Sequence, residues 1–232
     1  MLTSVVAGIF LLYAFTFRDV CDSLLYFKEG ASTTMTSYNE DGEVTGSTKT
    51  VYSDVSRTGA EASVSAAQEN FDKKGKKVSG TEFVIRCAGG TLFFDMKMMV
   101  PSQQQEAYQD MEMTVEGADM ETPGNLVVGS TLQDANLKMS VVPKGANSMP
   151  IPGMSFAIKI TNRKVEAKET VTTAAGTFEC YKITEDVEMT TMFVIKMKSV
   201  NWFNFDVGSV KTESYKENGK YMGKTELTAM NM

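Results

Sequence analysis

Histidine is absent from this chain of 232 residues, and its absence excludes many kinds of catalysis. A serine or cysteine nucleophile paired with imidazole, a zinc site with histidine ligands and a histidine general base all require that side chain. Any catalysis would have to use carboxylates, lysine, tyrosine or cysteine. The sequence accordingly predicts no catalytic residue, no metal site and no cofactor.

Cysteine is scarce, and the three cysteines, Cys21, Cys87 and Cys180, are widely spaced. This spacing excludes a CxxC redox pair and a zinc knuckle. In an exported protein, the simplest arrangement is one disulfide and one buried thiol. Cys87 precedes a Gly89-Gly90 turn and Cys21 lies near the expected mature N-terminus, so we expect a Cys21–Cys87 disulfide that ties down the terminus. Cys180 lies in a predicted strand and remains an alternative partner.

Positive charge is also limited, with 23 basic against 29 acidic residues and a formal net charge of -6. Such a chain repels phosphate backbones and anionic lipid surfaces, so a nucleic acid partner is not expected. The acidic run at residues 110–121 lacks the spacing of an EF-hand and indicates a solvated strand face rather than a calcium site.

Long hydrophobic runs are missing beyond the N-terminus, where residues 2–17 are nearly all apolar and Arg18 and Asp19 follow. This is the length of a signal-peptide core rather than of a membrane span. We predict a signal peptide over residues 1–18, a periplasmic, secreted or cell-surface location, and no stable membrane span after its removal. Because no basic residue precedes the run and no clear cleavage site ends it, a shortened anchor or a buried N-terminal segment remains open.

The pattern that dominates the rest of the chain is alternation. In TTMTSY (33–38), EVTGSTKTVY (43–52) and GTEFVIRC (80–87), apolar or β-branched residues occupy every second position. This pattern predicts a meander of antiparallel strands in one β domain over residues 19–232. Two interruptions are expected: a short helix near residues 102–110, and a Pro/Gly loop at residues 143–154 that could form a lip over a groove.

Two stretches resemble each other: SYNEDGEVTGSTKT at residues 37–50 and SYKENGKYMGKTEL at residues 214–227. The second has the look of a phosphate-binding loop, but three residues separate Gly219 from Gly223, where that loop needs four. Both stretches instead predict a hairpin with a three-residue turn, in which Gly42 or Gly219 adopts the left-handed conformation. This register places Tyr38 opposite Val44 and Tyr215 opposite Tyr221, so that apolar side chains face each other.

The 17 methionines supply the candidate ligand-binding residues, since flexible and polarisable Met side chains suit adaptable apolar binding. The alternative is that methionine simply fills a loosely packed β core. Aromatic residues near one turn could line a ligand mouth, or form a corner packed against the sheet. The candidate residues are Met96, Met98, Met189, Met197, Trp202 and Phe205.

Several motifs together resemble a known family. They include TNRKVEAKETVTT (161–173), GTFECYKI (176–183), IRCAGGTLFFDM (85–96) and NLVVGSTL (125–132). Their combination is similar to the TapB-like family of exported bacterial proteins, which is related to a wider group of domains of unknown function. The resemblance implies a single, strongly curved antiparallel sheet, a half-barrel similar to lipoprotein carriers of the LolA type. It implies no catalytic residues.

These observations lead to three functional hypotheses. The first is an exported, non-enzymatic β protein that holds a lipid, another apolar ligand or a protein segment in the concave face of its sheet. The second is a structural or interaction protein of the envelope that assembles with a partner protein through strand edges and hairpin tips. The third, and the least favoured, is a hydrolase with carboxylates among Asp110, Glu112 and Glu116.

Overall fold

A single antiparallel sheet of 13 strands makes up most of the described chain. The computed structural model describes residue 21 and residues 24–99, 111–143 and 155–231. The strands are β1 (Ser32–Asn39), β2 (Val44–Thr58), β3 (Glu61–Asp72), β4 (Lys77–Ala88), β5 (Thr91–Phe94), β6 (Met111–Ala118), β7 (Met120–Pro123), β8 (Ala135–Pro143), β9 (Phe156–Thr173), β10 (Gly176–Thr190), β11 (Val194–Asn204), β12 (Gly208–Lys216) and β13 (Tyr221–Asn231). Two short 3₁₀ helices cover Leu25–Phe27 and Met96–Met99.

Three of the predicted features fall largely outside this part of the chain. The signal peptide at residues 1–18 and the helix at residues 102–110 lie outside the described residues. The Pro/Gly loop at residues 143–154 does so too, except for Pro143, which ends β8. No helix in the described ranges is long and apolar enough to cross a bilayer.

Two meanders make up the sheet. Strands β1 to β5 pair in chain order, and so do strands β8 to β13. The first strand and the last strand then pair with each other, from Ser32 opposite Asn231 to Asn39 opposite Gly223. The predicted fold class, a mainly β protein with one strongly curved antiparallel sheet, is confirmed.

The curvature goes further than a half-barrel, because one stretch of chain supplies both edges of the sheet. Strands β6 and β7 stand at opposite ends of the strand order, yet Asp119 alone separates them in the chain. β6 pairs with β8, and β7 pairs with β5. Since consecutive residues cannot be far apart, the two edges must meet at this point, and the sheet forms a nearly closed barrel.

A buried arginine holds this seam together. Arg163 on β9 is 2% exposed, and its Nη1 donates hydrogen bonds to the carbonyl oxygen of Glu121 on β7, at 2.9 Å, and to that of Gln133, at 2.8 Å. Its Nε lies 3.5 Å from a carboxylate oxygen of Glu185 on β10. One guanidinium therefore joins β7, the segment before β8, β9 and β10.

Residues 24–27 fill one end of the barrel and are called the plug here. Leu24 and Leu25 are fully or almost fully buried, in a core cluster with residues from strands β2 to β5 and β9 to β11. The ring of Tyr26 lies 4.9 Å from that of Tyr52. Gly208 is required beside it, since a Cβ there would meet the Tyr26 hydroxyl at 1.5 Å.

A disulfide between Cys21 and Cys87 fastens the plug to β4. It closes a loop with a sequence separation of 66. Cys180 is the free thiol, and it is buried. The Cys21–Cys87 bond therefore ties the N-terminal segment to the end of β4.

Both repeated hairpins adopt the register expected from the alternation of their residues. Tyr38 faces Val44 and Tyr215 faces Tyr221, each next to a one-residue register shift. Gly42 and Gly219 have φ values of 81° and 84°, the left-handed region. The two stretches are therefore equivalent bulged hairpins and not phosphate loops.

We expect Gly219→Val to lower the free energy of unfolding by about 1 to 2 kcal/mol, because a β-branched residue strains the left-handed backbone. No atom lies within 4 Å of a Cβ at Gly219, so backbone strain is the sole cost. Gly219→Asn is the matched control and should cost less, since asparagine tolerates this conformation. Urea denaturation measures both, and equal stability of the two variants would contradict the turn assignment.

We expect Arg163→Met to lower the free energy of unfolding by about 3 kcal/mol, because it leaves the Glu185 carboxylate buried and two carbonyl groups without donors. Arg86→Met is the control near the same seam. Arg86 pairs with Asp119, but its side chain is 58% exposed, so the loss should stay below about 1 kcal/mol. Urea denaturation at neutral pH compares the two variants, and similar losses would show that Arg163 does not hold the seam.

Candidate functional site

The inner face of the barrel can be identified from the strand registers. Side chains alternate between the two faces of a strand, and residues paired across strands share a face. Tyr52 on β2, Ile85 on β4 and Phe203 on β11 all belong to the core cluster that surrounds the plug. Residues that lie an even number of positions from these three along the same strand therefore point into the barrel, and so do the residues paired with them. The rule holds wherever no register shift intervenes.

An apolar wall covers strands β8 to β11 toward the end of the barrel away from the plug. Its residues form two lines across the strands. One line consists of Leu137, Ile158, Met189 and Ile195, each paired with the next. The other consists of Ile160, Val187 and Met197, paired in the same way.

The apolar wall changes gradually from buried to exposed. Ile158 and Ile160 are 1% and 2% exposed, and Met189 and Met197 are partly buried. Ile195 at the rim is 48% exposed. An apolar surface thus continues from the packed interior to solvent.

A polar wall covers β13, β1, β2, β3 and β4, also on the side of the core away from the plug; it comprises Ser37, Thr48, Asn70, Ser79 and Thr225. The registers place these residues on the inner face, and all are half-buried. The Thr48 hydroxyl donates to Asn70 Oδ1 at 2.7 Å, and Asn70 Nδ2 donates to the Ser79 hydroxyl at 3.0 Å. The hydroxyls of Ser37 and Thr225 lie 3.2 Å apart. The polar wall is uncharged and internally hydrogen-bonded.

A buried ion pair separates these walls from the lower core. Along β9, Arg163 lies between Ile160 of the apolar wall and Val165 of the core around the plug. Burial raises the pKa of Glu185 above its ordinary value, while Arg163 and the Ser199 hydroxyl lower it. Burial also lowers the pKa of Arg163, which nevertheless stays charged because a guanidinium is not deprotonated in proteins. The pair forms a polar floor beneath the two walls.

Two neighbouring cavities open at the rim beside the apolar wall. The first, of about 390 Å³, is lined mainly by charged residues, four of which belong to the outer face of β10 and β11, and it also reaches Val187 and Met197. The second, of about 530 Å³, shares Lys196 and Glu217 and adds Ile195. Ile195, at the outer end of the apolar wall, is therefore accessible from solvent.

An exposed apolar hairpin tip adjoins these cavities. Met192 and Phe193, between β10 and β11, are 75% and 74% exposed. Val194 and Ile195 follow at the start of β11 and are also exposed. The apolar surface therefore extends beyond the rim of the barrel.

The structure separates the six candidate ligand-binding residues. Met96, Met189 and Met197 come together in the cluster of the apolar wall. Met98 and Phe205 pack against the core around the plug. Trp202 lies in a third cluster, on the other side of β11 from Phe203, where it donates to Glu169.

Sequence reasoning missed the aliphatic half of the apolar wall and the whole polar wall. Ile158 and Ile160 lie in SFAIKITNRKV, whose alternation signals an inward face, but only pairing with β10 brings them beside Met189. The Ser, Thr and Asn residues of the polar wall carry no local signal, because they are also common at exposed positions.

The carboxylates considered for hydrolysis do not form a described site. Asp110 and the side chain of Glu112 lie outside the described residues, and Glu116 is exposed on β6. In the described ranges, no cluster of His, Cys, Asp and Glu could hold a metal ion. Burial raises the pKa of the Cys180 thiol to about 12, which makes it a poor nucleophile.

Two solved structures share this architecture. A protein from Bacteroides fragilis NCTC 9343, described as exported and with a YmcC-like fold, matches with a TM-score of 0.71 and 21% identity, over 88% of this chain and 97% of its own. A protein from Parabacteroides distasonis ATCC 8503, described as a lipoprotein, matches with a TM-score of 0.71 and 19% identity, over 90% and 99%. At these identities the likeness shows the fold alone.

Comparison by sequence gives the family. No curated protein matches the chain. A family model, DUF3108-like, matches residues 28–227, which is most of the chain and spans both meanders except for the last four residues of β13. The wider group of domains of unknown function is thus confirmed, and the narrower TapB-like assignment stays a prediction. The chain belongs to the DUF3108-like family.

Proposed function

We propose that this chain is an exported, non-enzymatic β protein that binds an apolar ligand against the apolar wall. The observation that carries the proposal is the continuous line from buried Ile158 through Met189 to exposed Ile195. Water contact with such a surface is unfavourable by roughly 25 cal/mol per Å² of apolar area. An acyl chain or an apolar protein segment laid along it would remove that contact.

The methionines suit this role. Met189 and Met197 lie between the rigid, buried isoleucines and the rim, and both remain partly exposed. A thioether side chain changes conformation easily and fits ligands of different shapes. Binding would therefore tolerate variation in the apolar part of the ligand.

Export is supported by two observations. The structural relatives are described as an exported protein and as a lipoprotein. The Cys21–Cys87 disulfide is of a kind that persists in oxidising compartments outside the cytosol. Together with the apolar stretch at residues 2–17, they favour a periplasmic, secreted or cell-surface location, consistent with the TapB-like resemblance.

A second candidate function is assembly with an envelope protein through a strand edge. Within the described residues, positions 77–83 of β4 pair with β3 alone, while β5 pairs with Ile85 and beyond. Val78 in this stretch is 46% exposed. Size-exclusion chromatography and pull-down from an envelope extract separate the two functions, because a ligand carrier stays monomeric and retains lipid without a protein partner.

We expect Ile195→Asp to weaken binding of an environment-sensitive apolar dye about tenfold, since burying one aliphatic side chain contributes about 1.5 to 3 kcal/mol. Val194→Asp is the matched control. It changes the adjacent and similarly exposed position, whose side chain points to the other face of β11, so the affinity of this variant should stay near that of the unchanged protein.

Fluorescence titration gives the two affinities, and native mass spectrometry shows whether lipid co-purifies with each variant. Equal loss of binding in both variants would assign the dye to the exposed hairpin tip rather than to the inner face. Absence of any uptake by the unchanged protein would refute the proposed function.

A further inference from the structure

The polar wall stands across the barrel from the apolar wall. In the order of 13 strands, β9 is third and β2 is ninth, six places apart. In a nearly closed ring, this separation is about half of the circumference. Ile158 and Thr48, which represent the two walls, therefore lie on opposite sides of the interior.

The polar wall has unused hydrogen-bonding capacity. Thr48, Asn70 and Ser79 bond to one another in a row across three strands and remain half-buried. A hydroxyl carries one donor and two lone pairs, and an amide carries two donors and a carbonyl oxygen. The row uses part of this set, which leaves acceptors and donors for a ligand that is itself rich in hydroxyl or amide groups.

Charge is confined to the floor and the rim. In the described part of the chain, Arg163 is the charged residue that is buried below the walls, and it faces the Glu185 carboxylate, whose side chain is 13% exposed. Lys216 pairs with Met197 in the register and lies at the exposed rim. A phosphate or ammonium group against the polar wall would lose its hydration without an opposite charge, which is costly, whereas a neutral head group would exchange water for hydroxyl partners.

We infer that the ligand is an amphiphile whose apolar chain lies on the apolar wall and whose uncharged, hydroxyl-rich or amide-rich head group bonds to Thr48, Asn70 and Ser79. The inference rests on the proposed function and adds the chemical class of the head group. A sugar-bearing lipid has this chemistry, and a phospholipid does not.

Three detergents with the same decyl chain test the class of head group. Decyl maltoside is uncharged and rich in hydroxyls, decyl phosphocholine is zwitterionic, and decyl sulfate is anionic. Isothermal titration of the full chain with each one, below its critical micelle concentration, should give decyl maltoside the tightest binding by about tenfold, the equivalent of one to two good hydrogen bonds.

The outcomes distinguish the two proposals. Equal affinity for all three detergents, or a preference for either charged head group, overturns the inference but leaves apolar binding intact. Binding of none of them overturns the proposed function and the inference with it.

A pair of variants on β2 locates the head group. Thr48→Val keeps the shape of the side chain and removes the hydroxyl from the polar wall; it should weaken decyl maltoside binding about three- to tenfold and leave decyl sulfate binding unchanged. Ser47→Ala removes a hydroxyl from the adjacent position, whose side chain points to the outer face of the same strand, and should alter neither.

Urea denaturation confirms that both variants remain folded. Equal weakening of all detergents by Thr48→Val would show a structural effect on the barrel and overturn the assignment of the head group. No weakening at all would place the head group elsewhere, and that result overturns the assignment as well.

Discussion

The barrel depends on one guanidinium buried where the two edges of the sheet meet. Without Arg163, β7 would lose its side-chain hydrogen bond from β9 and keep its four-residue pairing with β5, and the segment before β8 would lose a donor shared with β7. A lysine has no planar array of donors and could not reach two carbonyl groups and a carboxylate together. Closing the barrel removes water from the Arg163 guanidinium, which costs free energy, and the contacts on three sides of this group offset that cost.

The two ends of the barrel differ because the chain fills one of them before the first strand begins. The plug, the disulfide to β4 and the Tyr26–Tyr52 contact make the lower interior a conventional packed core. Above the polar floor, the inner face keeps half-buried residues on both walls. The packed core and the half-buried walls thus occupy separate levels of one structure, and under the proposed function the binding level can vary without loss of the core.

Alternation and turn chemistry were enough to predict the antiparallel meander and the register of both hairpins, since these depend on local side-chain patterns. The strong curvature of the sheet was expected from the family resemblance alone. The separation of Trp202 from Phe205 and the grouping of Met96 with Met189 were not predictable, because they depend on how distant strands pair. The role of Arg163 was hidden for a further reason: in TNRKVEAKETVTT it is one charged residue in an alternating strand, and the left-handed Asn162 before it marks a bulge that only the structure shows.

The arrangement of the sheet as two meanders has a consequence for how the protein folds. Pairing within β1 to β5 and within β8 to β13 joins strands that are neighbours in sequence, so each half can form by local loop closure. The β1–β13 junction joins residues such as Thr36 and Thr228, which are 192 positions apart. Contacts of high sequence separation slow folding, so the rate should be set by the meeting of two preformed halves, with the seam at Arg163 as the second line along which they join.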